Sequence, residues 1–246
     1  MHRFKLTIEY EGTNFVGWQR QADQPSVQQV IEEAVQATTA QFSNVHGAGR
    51  TDSGVHALGQ VAHVDIAKDI SADKVRDALN YHMRPNPVSI LEAEEVGEDF
   101  HARFSAVARH YVYRLIDRRS DLTFDKGLAW RTMTPVDTDA MHIAAQYLLG
   151  RHDFTTFRDS QCQAESPVRT IDQIKVVRNG QDIRVYVSAR SFLHRQVRSI
   201  VGSLVDVGRG KQNVAWMKDI LEAADRTACG QVAPADGLYL AQIDYD

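Results

Sequence analysis

Apolar and polar residues alternate from the first positions of this chain. Phe4, Leu6, Ile8 and Tyr10 fall two apart, the spacing that puts side chains on one face of a strand. Residues 11–25 break the pattern with glycine, asparagine, aspartate and proline, and predict a long loop. Ser26-Val27-Gln28-Gln29 then matches a helix capping box. Val27, Val30, Ile31, Ala34 and Val35 recur at the spacing of one helix face. A short strand ending near Ala48, a glycine-rich turn over 49–59 and a strand over 60–66 follow. The pattern next predicts a helix over 72–82, opened by Ser71, and a strand over 88–95. The order is β-α-β-β-α-β, the split ferredoxin-like motif.

The second half repeats the plan. It reads as a strand over 106–116 and a helix over 138–149 stopped by Gly150. Strands over 171–178 and 183–189, helices over 193–207 and 214–223, and a strand over 238–244 complete it. The expected fold class is α+β: two ferredoxin-like, RRM-like lobes, residues 1–104 and 105–246. Each lobe is expected to be an antiparallel sheet with its helices on one face. A cleft between such lobes is the first place to look for a site.

Composition narrows the classes. The 246 residues are 43% hydrophobic and 24% charged, ordinary for a globular chain with a real core. No apolar run reaches the roughly 20 residues that span a bilayer, and the start of the chain lacks a signal-peptide layout, so a cytoplasmic protein without a membrane partner is expected. Cys162 and Cys229 are isolated, which excludes a disulfide scaffold or a cysteine zinc site. Charge is uneven: residues 1–104 carry 9 basic against 15 acidic side chains, residues 105–246 carry 19 against 17. Arginine outnumbers lysine 21 to 7, and arginine is the residue of planar phosphate and base recognition.

The densest chemistry lies in Gly47-Ala48-Gly49-Arg50-Thr51-Asp52-Ser53-Gly54-Val55-His56-Ala57. Gly49 and Gly54 bracket a compact charged loop, where glycine permits positive φ and close approach of a ligand. Arg50 and Asp52 lie two apart and share a face if the segment is extended. A neighbouring cation keeps a carboxylate ionised, as a nucleophilic aspartate requires. Taken alone, Asp-Ser-Gly is a turn and Arg50 a surface residue. Metal binding by His46, Asp52, His56 and His63 is a further reading, but their spacing matches no standard ligand pattern.

The loop Gly49–Ala57 resembles the signature of the TruA-type tRNA pseudouridine synthases. Gly17-Trp18-Gln19-Arg20-Gln21, Phe100–Ala106 with Arg109-His110-Tyr111-Val112-Tyr113, Asp153–Arg158, Phe192–Gly202 and Gly237–Leu240 resemble further motifs of that family, in its order and over nearly the whole chain. The segment 80–87 departs from the family's usual wording, away from the Asp52, Tyr111 and Arg198 positions. The resemblance implies that Asp52 is the covalent catalyst, that Arg198 pairs with it, and that Tyr111 packs on the target base. It implies tRNA as substrate, uridines at nucleotide positions 38, 39 and 40 of the anticodon arm as targets, and a homodimer.

Arg50 is expected to support the loop and touch the backbone of the flipped nucleotide. Arg20, Arg103, Arg109 and Trp18 are candidate RNA contacts, and Arg195, one turn before Arg198, is expected to face a similar direction. Phe154 and Leu240 are candidate walls of the base pocket, with core packing as the plain alternative. Tyr113 is read as structural. Isomerising uridine breaks an N-glycosidic bond and rejoins the base through carbon, with no redox change. No cofactor or metal is therefore expected, and the chain has neither a P-loop nor a dinucleotide fingerprint. Attack on the ribose, attack on the base and assisted elimination all remain open to Asp52. The rival functions are a non-catalytic RNA-binding protein of the same fold and a metal-assisted or two-carboxylate hydrolase.

Overall fold

The computed structural model describes all 246 residues. They form two compact units, Met1–Val107 with Tyr239–Asp246, and Ala108–Leu238. The first break lies three residues past the position expected from sequence, and the closing strand groups with the first unit. Sequence order assigns that strand to the second repeat, but the residues packed around it decide where it sits.

In the first unit, strands β1 (His2–Tyr10), β2 (His46–Gly47), β3 (His56–Ile66) and β4 (Val88–Val96) alternate with helices α1 (Val27–Thr39) and α2 (Ala72–His82). β1 lies between β4 and β3, antiparallel to both, with His2 opposite Ile66 and Arg3 opposite Val96. The other edge of β3 is shared. β2 pairs antiparallel at Ala62 and His63, and the closing strand (Leu238–Tyr245) pairs parallel at His56 and Ala57. The order β4-β1-β3-β2 and the β-α-β-β-α-β sequence make this unit a ferredoxin-like sheet. Phe4, Leu6, Ile8, Ile31, Val35, Val64 and Leu79 fill its core. Ser26 caps α1 by accepting from the Gln29 N–H, but the Gln29 side chain donates to Glu33 instead of returning to the cap. The capping box is half formed. β3 starts at His56, inside the expected turn, because the turn proper needs only residues 48–55.

The second unit holds β5 (Ala106–Asp117, its first two residues counted with the first unit), β6 (Trp130–Thr132), α3 (Thr138–Gln146), β7 (Gly150–Asp153), β8 (Val168–Asn179), β9 (Asp182–Ala189), α4 (Gln196–Gly208) and α5 (Trp216–Ala223). β5, β9, β8 and β7 run antiparallel in that order, and β6 adds to β5 in parallel. Asp137 opens α3 by accepting from the Asp139 and Ala140 N–H groups. α4 begins at Gln196, later than predicted, because Arg195 takes a left-handed φ of 57°. All its residues except Arg198 and Asp206 are buried. A helix buried on nearly every side is a central one, although Gln196, Ser199 and Ser203 are polar. The closing strand makes β10 of the chain. No helix is long and apolar enough to cross a membrane.

Candidate active site

Asp52 lies between β2 and β3 in residues without regular structure, and its side chain is half-buried. Such a segment has no ladder to hold it, so its position must come from other contacts. The Trp18 N–H donates to the Thr51 carbonyl (3.2 Å), and the Gly54 N–H to the Phe15 carbonyl (3.2 Å). The Val55 N–H closes a turn on the Asp52 carbonyl (3.2 Å). The Tyr10 and Thr51 hydroxyls share a buried bond of 2.8 Å, and the Gln60 amide donates to the Gly49 carbonyl (2.9 Å). The loop 11–25 must press close for this. A Cβ on Gly17, whose φ is +114°, would strike the Thr51 carbonyl oxygen. Trp18, expected at the RNA, is a core residue beneath Gly47. It positions the loop from below. Gly54 has the positive φ expected of it, +76°. Gly49 does not, and open space surrounds the place of its missing side chain.

Arg50 is exposed, and its Nε donates to the Gln19 Oε1 at 3.1 Å. Arg20 is also exposed, and its Nη1 reaches Glu32 at 2.9 Å. Glu32 is buried. Sequence reading named Gln19 within the first-loop motif and Gln28 within the capping box but gave neither a site role, and it passed over Glu32, although Gln28 and Glu32 at i, i+4 on α1 are a legible pair.

In the second unit Tyr111 lies on β5, half-buried, with the Phe192 ring edge-on at 5.2 Å. Arg109, two residues before it, donates to the Arg190 carbonyl at 2.6 Å. Tyr113 is fully buried and its hydroxyl donates to the Pro234 carbonyl at 2.8 Å. Burial pushes its phenol well above the usual value, opposed by the Arg198 charge. Tyr113 is structural, as expected. Arg198 sits in the first turn of α4, half-buried. Its Nε donates to the Ala233 carbonyl at 2.8 Å, and the Ala233 N–H returns to the Arg198 carbonyl at 3.1 Å. Gly202 lets that strand of backbone approach, since a Cβ there would overlap the Gln231 carbonyl.

Arg195 departs from expectation. It caps α4 from outside and donates to Asp159 at 3.0 Å, so it does not share Arg198's direction. Burial opposes ionisation of Asp159, but the Gln161 N–H, Arg195 and His194 outweigh it and hold the carboxyl below its ordinary value. Phe154 is 0% exposed, against Phe157 and His152. Leu240 is 1% exposed, opposite Ala57. Both are buried, because strand and turn direct them inward. Arg103 is exposed, its guanidinium over the Phe104 ring at 5.6 Å.

His46, His63 and His101 gather together, His63 within 5.0 Å of His46 and 4.6 Å of His101, ring to ring. Burial pushes His63 down to about 4, aided by His101, His46 and Arg3. His56 lies elsewhere, accepting from the Gly12 N–H and stacked on Tyr239. The four-residue set of His46, Asp52, His56 and His63 does not converge, and no group of three His, Cys, Asp or Glu side chains is placed to hold a metal. A cavity of about 350 Å³ in the second unit, lined by Tyr147, His152, Lys218 and Leu221 among others, contains none of the candidate residues.

Residues 6–105 and 144–246 match a family model described as tRNA pseudouridine synthase. The tRNA pseudouridine synthase A of Maricaulis maris is 61% identical over 245 residues, covering 100% of this chain and 98% of the relative. Proteins of the same name from Rhodopseudomonas palustris and a Bradyrhizobium species are 59% and 60% identical over 245 residues, with 100% of both chains covered in each case. A chain of a crystallised Cbf5-Nop10-Gar1 complex overlaps 82% of this chain and 54% of its own length at a TM-score of 0.35 and 11% identity, a likeness too faint to argue from.

Proposed function

Because the chain belongs to the tRNA pseudouridine synthase family, we propose that it isomerises uridines 38, 39 and 40 in the anticodon arm of tRNA, with Asp52 as the nucleophile. The observation that carries the proposal is the Asp52 loop. Its backbone is tied at Thr51, Asp52 and Gly54, while the aspartate side chain is left half-buried. A catalytic carboxylate has to be held within a fraction of an ångström of its target, and anchoring of the backbone on both sides of it contributes to that hold.

The reaction breaks the bond between ribose C1′ and uracil N1 and makes one between C1′ and C5. The proton on C5 is lost and N1 gains one, so the isomerisation balances without an oxidant or a hydrolysed bond. The uridine must first leave its stack, at a cost of a few kcal/mol. Tyr111 offers a face for the extruded base. Arg198 orients the Asp52 carboxylate and stabilises its charge. Arg50, Arg20, Arg103 and Arg109 contribute phosphate contacts that offset the unstacking. The enzyme acts in the cytoplasm as a homodimer.

The test is release of tritium to water from tRNA transcripts labelled at uridine C5, with the modified positions then mapped. Release confined to positions 38, 39 and 40 is expected. Tight tRNA binding with no release at any enzyme concentration would favour the RNA-binding rival.

A further inference from the structure

Behind Arg50 the first unit contains a chain of hydrogen-bonded side chains to which no reaction step gives a role. Glu32 is 2% exposed, and its carboxylate accepts three donors: Arg20 Nη1 at 2.9 Å, the Gln28 amide at 3.0 Å and the Val45 N–H at 3.3 Å. Gln28 uses both ends of its amide. Nε2 donates to Glu32 and to the Val45 carbonyl (3.0 Å), while Oε1 accepts from the Gln19 amide and from the Arg20 N–H, both at 2.9 Å. Gln19 in turn accepts from Arg50 Nε at 3.1 Å.

The chain has one polarity. Every link donates toward Glu32: Arg50 to Gln19, Gln19 to Gln28, Gln28 to the carboxylate. Turning over the Gln19 amide would set its NH2 against the Arg50 N–H and its oxygen against the Gln28 oxygen. A carboxylate accepts only, so its place at the end selects one orientation for both amides. The same carboxylate holds Arg20. Two exposed arginines from different loops are therefore oriented by one buried charge. Arg50 is exposed, and its bond to Gln19 uses only its Nε. Gly49 beside it has no heavy atom within 4 Å of where a Cβ would lie, so the outer face of the loop is open to an approaching strand. The first unit is acidic overall, and a polyanion can be received there only at a locally built cationic point.

We propose that Gln19, Gln28 and Glu32 are positioning residues which aim Arg50 and Arg20 at backbone phosphates of the RNA substrate. The inference rests on the function proposed above, but its test does not require turnover. Gln19 is the link to break, because Leu there has similar volume and leaves Glu32 with all three donors. Filter binding of unmodified tRNA to the full chain, over a series of salt concentrations, is the measurement.

Gln19→Leu is expected to weaken binding roughly ten-fold, below the ~100-fold that an ångström of misplacement can cost. It should also lower the slope of log affinity against log salt by about one, the signature of a lost phosphate contact. In an Arg50→Ala background, Gln19→Leu should add nothing, since it acts through Arg50. Gln28→Leu should reproduce the loss, with thermal melting as the check on folding; if that variant does not fold, Gln19→Leu decides alone. An unchanged salt slope, or losses that multiply in the double variant, would overturn the proposal. A wild-type protein that binds tRNA but releases no tritium would remove the catalytic reading and leave the binding result standing.

Discussion

Asp52 and Arg198 are both half-buried charged side chains near the start or end of a regular element, yet the chain holds them by opposite means. Asp52 sits in irregular backbone. Its position comes from Tyr10, Phe15, Gly17, Trp18 and Gln60, residues up to some forty positions away, most of which meet its loop through backbone atoms. Arg198 sits on a helix whose other residues are nearly all buried, and its Nε is held on the Ala233 carbonyl. A helix transmits the rigidity of a packed core to every residue on it. A loop has to borrow rigidity contact by contact, and Gly17 and Trp18 are what that borrowing requires.

The comparison breaks first at Asp52. Asp52→Asn keeps the shape of the loop and removes the nucleophile, so tritium release should fall by about a thousand-fold or more while tRNA binding survives. Retained turnover would show that the anchored loop has another purpose. Arg198→Ala should cost less, on the order of a hundred-fold in turnover, as expected for a residue that acts by orienting another. Arg198→Lys should recover only part, since an ammonium cannot reproduce the planar fork. Wild-type rates in both variants would take Arg198 out of the site.

The smallest effect concerns strand β3, which the loop feeds. Folded His63 titrates at about 4, against 6.5 for a free histidine. Between those values the unfolded chain binds a proton that the folded chain refuses. Stability should therefore fall as pH drops from about 6.5 toward 4. His101, also lowered by burial, acts in the same sense. Asp65, held low by its bond to Arg3, acts only in more acid solution. Urea midpoints at pH 7 and pH 4.5 should differ less for His63→Gln than for the wild type. An equal difference would remove His63 as the cause.

The helix over 72–82 was legible at both ends, and the strands near 88–95 and 106–116 to within one residue, because each follows from local periodicity. Helix α4 was legible as a helix, but its start was not: the left-handed turn at Arg195 answers to Asp159, thirty-six residues earlier. The same distant pull sends Arg195 away from Arg198, although helical spacing alone would align them. Phe154 and Leu240 could be read either as core or as pocket wall. Their burial follows from the elements packed over them, which spacing does not reveal.

By itself, then, the order of amino acids determined the α+β class, the ferredoxin-like first unit, the charged glycine-bracketed loop and the family. Those rest on periods of two and 3.6 residues and on contiguous motifs, both properties of short stretches. The tertiary structure alone decided that Trp18 supports the loop from inside, that Gly49 stays open, and that a buried carboxylate on α1 binds Arg20 and ends the hydrogen-bonded chain that starts at Arg50. Each of these is a meeting of segments far apart along the chain, and a side chain's partner is set by where the backbone returns.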